Sequence, residues 1–161
     1  MLTVFRFLEL LSLGVWVGAA LFVGVLLAPG AFALLPTREL AGSVVGMALT
    51  RLHWLAYACG AIYFAARFAM ATEGSAAWRR GAPVMVALML VLTLVAQFVL
   101  TPKLGALRAQ MAAENGSIDA TPKEHPLRQE FGRLHGFSSA IELLVLMLGV
   151  GALYMSVRNP L

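Results

Sequence analysis

Between Leu10 and Thr37 the chain runs for 28 residues without a charge, and between Gly81 and Pro102 it does so again for 22. About 20 mostly apolar residues in a helix cross about 30 Å of hydrocarbon. Stretches of that length therefore restrict the chain to folds that live in a bilayer. Two more qualify: Leu40 to Ala66, interrupted only by Arg51, and Leu134 to Val157, interrupted only by Glu142. Composition agrees, with 60% hydrophobic and 12% charged residues in 161, against about 45–50% and about 25% in soluble domains.

The expected fold is all-α: one integral membrane domain over residues 1–161, a four-transmembrane-helix bundle with spans at approximately 5–28, 46–70, 83–102 and 134–157. Ala28-Pro29-Gly30 is read as the end of the first span, and Thr37 as the N-cap of a second helix that continues to about Met70. Arg67, Glu73, Gly74, Ser75, Trp78, Arg79 and Arg80 form the turn into span three, with Trp78 suited to an interface. Lys103 to Glu114 resumes a helical pattern after Pro102, and Thr121-Pro122-Lys123-Glu124 resembles the start of the last helix. Helices two, three and four thus project beyond the bilayer on one side as a water-exposed collar. Pro29 and Pro102 are each followed by an Arg-Leu-His triplet, Arg51-Leu52-His53 and Arg133-Leu134-His135, which suggests two tandem α-hairpins.

Small residues at four-residue spacing let membrane helices approach closely; Gly14 with Gly18 and Gly42 with Gly46 are the expected packing positions. Arg6 and Glu9, three apart, are read as a pair near the surface. The only cysteine, Cys59, cannot form an intrachain disulfide.

Ionisable groups inside a span are functional hypotheses by default, because an unpaired one is expensive there. Counted from the side that holds the termini, His53, Gln97 and Glu142 all lie roughly 21 to 24 Å deep at about 1.5 Å per residue. His135, Ser138 and Glu142 fall at i, i+3 and i+7 on one face of the last helix. The expectation is a buried cluster in which Glu142 pairs with His53 or Arg51, Gln97 adds a hydrogen bond, and His135 and Ser138 lie above. Such a cluster suits handling of a small cation or proton, or assistance to transport. A polar clasp in a structural or accessory subunit is the alternative. A third reading, a metal or haem between His53 and His135, rests on imidazole being a good ligand, but the two differ in depth; no cofactor is favoured.

No phosphate-binding loop, paired cysteine cluster or convincing nucleophile–base pair appears, so the reading leans away from an enzyme while leaving that open. The net charge of +4 is explained by interfacial Lys and Arg, and nucleic acid is not indicated. The expected partners are the lipid bilayer and either a second copy or another membrane protein. The expected site is a bacterial inner membrane, termini in the cytoplasm, although Lys and Arg counts on the two sides are close.

The runs Leu34-Leu35-Pro36-Thr37-Arg38-Glu39-Leu40-Ala41-Gly42, Leu100-Thr101-Pro102-Lys103 and Phe131-Gly132-Arg133-Leu134-His135-Gly136-Phe137-Ser138 resemble the transmembrane protein 205-like family. That is a family of four-helix membrane proteins grouped by a domain of unknown function. The resemblance implies the same fold and puts weight on His135 with Ser138. Two departures from the family pattern, Glu142 where asparagine is common and Arg51-Leu52-His53 in place of an aromatic-rich stretch, make the His53 and Glu142 pair a local elaboration.

Overall fold

The computed structural model describes residues 1–72 and 81–158. The expected turn residues Glu73, Gly74, Ser75, Trp78, Arg79 and Arg80 lie outside them. The described residues are helical: α1 (Leu2–Leu21), α2 (Ala28–Leu34), α3 (Arg38–Thr72), α4 (Ala82–Val95), α5 (Thr101–Asn115) and α6 (Pro126–Arg158). Single π-helical turns, Phe22–Leu27 and Ala96–Leu100, weld α1 to α2 and α4 to α5. Four continuous rods result, each long and apolar enough to cross a membrane. The chain is an integral membrane protein with an all-α, four-helix architecture.

The first rod does not stop at Ala28, as Pro29 suggests it should, but continues to Leu34. Proline removes a backbone donor and collides with the carbonyl four residues back, yet backbone groups in lipid must stay hydrogen-bonded within the protein. The chain widens instead of breaking. The amide of Ala28, just before Pro29, reaches the carbonyl of Val23, and that of Thr101, just before Pro102, reaches Ala96. Thr101 Oγ1 donates to the same Ala96 carbonyl at 2.9 Å. The two odd rods therefore share one device, while α3 and α6 have none.

The backbones approach in the cyclic order α1, α3, α4, α6, and the diagonal pair α3 and α6 meets through side chains. Leu13 and Trp16 of α1, Ala56, Cys59 and Tyr63 of α3, Val86 and Met89 of α4, and Val145 and Ala152 of α6 form the core. Outside, Phe22, Leu26, Trp54, Phe68, Val84, Val91, Leu143 and Met147 are exposed. Large apolar side chains on that surface are ordinary when the solvent is acyl chain.

The glycines that bring helices together are mostly not those the spacing picked out. A methyl group built on Gly14, Gly18 or Gly46 would meet nothing within 4 Å, and Gly14 and Gly18 are exposed. Four-residue spacing identifies a smooth stripe but not which way it faces. Gly42 does take a neighbour, since a methyl there would lie 2.8 Å from Arg108 Nη2. In the bundle itself the close approaches are at Gly60, where a methyl would stand 2.7 Å from Leu90 Cδ2, and at Gly149, 2.7 Å from Val17 Cγ2 and 3.0 Å from Met89 Cε. Gly149→Val is expected to destabilise the bundle by about 1–3 kcal/mol through overpacking. Gly14→Ala and Gly18→Ala should stay within about 0.5 kcal/mol of wild type. Unfolding midpoints in detergent compare them directly.

At the end of the bundle away from the termini, Thr37 caps α3 as expected, its Oγ1 accepting the Leu40 amide at 3.1 Å, and Asp119 Oδ2 accepts the Glu39 amide at 3.3 Å. The α5–α6 connection is packed, with Ile118 and Thr121 buried and the Ile118 carbonyl accepting Arg128 Nη1 at 2.9 Å. Gly116 adopts φ +81° at the end of α5, a left-handed conformation that suits glycine. The last helix starts at Pro126 rather than near Pro122. His125 supplies its opening carbonyl, accepting from Arg128 and Gln129.

Candidate functional site

Two polar layers sit in the bundle with the apolar core between them. The first joins α3, the π turn before α5, and α6. His53 Nδ1 lies 2.7 Å from Gln97 Oε1, and His53 Nε2 lies 2.7 Å from Glu142 Oε1. His53 is buried, whereas the Glu142 side chain is 22% exposed and so forms the open wall of the site. Tyr57, one turn along α3, donates from its hydroxyl to the Thr93 carbonyl at 3.3 Å. The π turn at Ala96–Leu100 contains Gln97, so the backbone irregularity and the polar residue coincide.

The ring atoms fix much of the protonation pattern. Gln97 Oε1 is a carbonyl oxygen and only accepts, so Nδ1 carries a hydrogen. One proton then lies between Nε2 and the Glu142 carboxyl. It resides on nitrogen as an imidazolium–carboxylate pair, or on oxygen as a neutral imidazole and carboxylic acid. Either way the set is neutral overall, which is what a low-dielectric site tolerates best.

Other residues expected at the cluster lie elsewhere. Arg51 is exposed and makes no ion pair with a described residue; it neighbours His53 in sequence but points off the shared face. His135 is exposed, its ring stacked on Phe131 with centroids 6.0 Å apart, and Phe131 also takes the Arg108 guanidinium at 5.4 Å. It belongs to the collar. Ser138 is half-buried without a side-chain hydrogen bond, and its neighbour Ser139 donates to the His135 carbonyl at 3.0 Å. His53 and His135 thus have separate partners. Among the described residues no group of three or more His, Cys, Asp or Glu side chains is arranged to hold a metal ion.

Of the second layer, sequence reasoning reached only the Arg6–Glu9 pair; Arg67, expected in the turn, lies inside α3. Glu9 is fully buried, with Oε1 2.7 Å from Arg67 Nη2 and Oε2 2.7 Å from Arg6 Nη1. Ser156 Oγ donates to Glu9 Oε1 at 2.9 Å, and the Arg67 guanidinium lies 5.5 Å over the Tyr63 ring. Glu9, Arg67 and Ser156 come from α1, α3 and α6, so this is a three-helix clasp rather than a surface pair. Counting heights, as for His53 and Glu142, would have found it, because all three lie within a turn or two of the rod ends on the terminal side.

The layers are evenly stepped: 14 residues separate His53 from Arg67 on α3 and Glu142 from Ser156 on α6, about 21 Å on each helix. Between them lie Leu13, Trp16, Cys59, Met89 and Val145. The polar side chains of Tyr57 and Thr93 lie beside the His53 set and that of Tyr63 beside Arg67.

Neither a curated protein nor a solved structure matches the chain. One family does, over residues 11–113, a region that includes His53 and Gln97 and ends before Glu142. Spanning the first three rods of the bundle, that match assigns the chain to the family defined by the domain of unknown function DUF4149.

Proposed function

We propose that the protein binds and releases a proton, or a small cation in its place, at the His53, Gln97 and Glu142 set. The observation that carries this reading is the 2.7 Å contact between His53 Nε2 and Glu142 Oε1, a distance that calls for one proton between them, with His53 buried and Glu142 partly open. Loss of that proton through the open side leaves a neutral imidazole and a carboxylate, a site with one negative charge and two ligand atoms. A second proton, or a small cation held by Oε1 and Nε2, restores neutrality. Gln97 keeps the ring in one orientation by accepting from Nδ1, the usual role of an outer hydrogen bond on an imidazole. Exchange begins at the exposed edge of the Glu142 carboxyl.

Purified protein in vesicles containing a pH-sensitive dye tests this directly. Under an imposed proton gradient the wild type should dissipate the gradient faster than empty vesicles, and Glu142→Gln, which keeps shape and hydrogen bonding, should match empty vesicles. A wild type no faster than empty vesicles, or a Glu142→Gln protein as fast as wild type, defeats the reading. The kinship with transmembrane protein 205-like proteins is part of the same proposal and is supported by the motifs around Pro36, Pro102 and His135.

A second reading, an accessory subunit that docks another membrane protein, draws on the exposed and untouched Gly14 and Gly18. It predicts that bulky residues at those positions disrupt a complex while leaving the isolated bundle as stable as before.

A further inference from the structure

We propose that the groove between α5 and α6 at the foot of the collar holds the headgroup of a membrane phospholipid that carries a primary ammonium. The phosphodiester sits between Lys103 and Arg133 and the ammonium at Glu130. The inference is independent of the proton site.

The groove has a volume of about 470 Å³ and is lined by Lys103, Leu107 and Gln110 of α5 and by Glu130, Arg133 and Leu134 of α6. A neighbouring hollow of about 330 Å³ shares Glu130 and Arg133. Since a water molecule takes about 30 Å³ of liquid, the space admits a polar group far larger than a hydrating cluster. Its height is set by the sequence: Lys103 directly follows the charge-free run that ends at Pro102, and Arg133 directly precedes the apolar run that begins at Leu134. Both cations therefore stand where lipid phosphates lie, on facing helices, above a floor containing the buried Leu107.

Charge selects the ligand. Glu130 and Arg133 are three apart on α6, a spacing that allows side chains to meet, yet among the described residues neither they nor Lys103 form an ion pair. Two cations and one carboxylate are left facing a cavity. A phosphodiester takes charge-assisted hydrogen bonds from a guanidinium and an ammonium, and Glu130 then selects the other end. A primary ammonium donates hydrogen bonds to a carboxylate, whereas a quaternary choline cannot, and a glycerol headgroup brings no positive charge.

Native mass spectrometry of delipidated protein in detergent, titrated separately with phosphatidylethanolamine, phosphatidylcholine and phosphatidylglycerol, measures the preference. Phosphatidylethanolamine should bind about tenfold more tightly than phosphatidylcholine, the scale of one charge-assisted hydrogen bond. Lys103→Gln with Arg133→Gln should remove that binding without moving the unfolding midpoint, because these side chains are exposed. Glu130→Gln should retain phosphodiester binding and erase the advantage of ethanolamine over choline. Glycerophosphoethanolamine and inorganic phosphate are added as competitors. Displacement by either at concentrations comparable to the lipid would overturn the lipid assignment in favour of a soluble phosphate compound. Equal binding of the three lipids, or binding unchanged in the double variant, would overturn the site itself.

Discussion

Arg67→Leu should lower stability by about 3 kcal/mol, the lower end of what removal of one member of a buried ion pair does. Two magnitudes compete. Polar contacts between membrane helices average only about 0.6 kcal/mol, because groups in the unfolded, inserted chain also find partners. That average describes hydrogen bonds, whereas Glu9 is a carboxylate with no exposed surface and Arg67 is 1% exposed. Removing Arg67 strands that carboxylate with Arg6 and Ser156, a remaining pairing that keeps the loss from reaching the top of the range. Glu9→Leu together with Arg67→Leu should recover most of the stability, since replacing both members by apolar groups removes the unmatched charge. Unfolding in detergent, with the double-mutant cycle completed, gives the coupling. An Arg67→Leu protein as stable as wild type would mean that Glu9 finds its compensation elsewhere.

That clasp also shows where sequence reasoning reached and where it stopped. The four rods were legible because an apolar run of bilayer length has one viable backbone solution. The height of His53, Gln97 and Glu142 was legible because rise per residue converts sequence number into depth. Azimuth was not. Arg51 shares a level with the cluster but faces outward, and Gly14 and Gly18 form a stripe that faces away from the bundle. Pro29 was read with the soluble rule that proline ends a helix, whereas in lipid the backbone keeps its hydrogen bonds by widening a turn. Glu9 was assigned to Arg6 because near neighbours in sequence offer themselves first. Its second partner lies 58 residues away, at Arg67, and only the requirement that a buried carboxylate be fully matched points to it.

His53→Leu should destabilise the bundle by about 2 kcal/mol, because one change leaves two groups unsatisfied, at about 1–3 kcal/mol for each fully buried one. Two features moderate the sum. The Glu142 side chain is 22% exposed, so water or a lipid headgroup can reach it, and the Gln97 amide can turn on its own flexible stem. His53→Leu with Glu142→Leu should be more stable than His53→Leu alone, since no carboxyl is then left without a partner. Stability alone does not separate a clasp from a proton site, because a register-fixing hydrogen bond gives the same cycle. Flux does separate them. Glu142→Gln supplies an amide N–H that donates to the bare Nε2 and should change the unfolding midpoint little, yet it removes the carboxyl on which proton exchange depends. A protein that folds as well as wild type but passes no protons has lost chemistry and kept packing. If instead flux and stability fall together across His53→Leu, Gln97→Leu and Glu142→Gln, the cluster holds three helices in register and does nothing more.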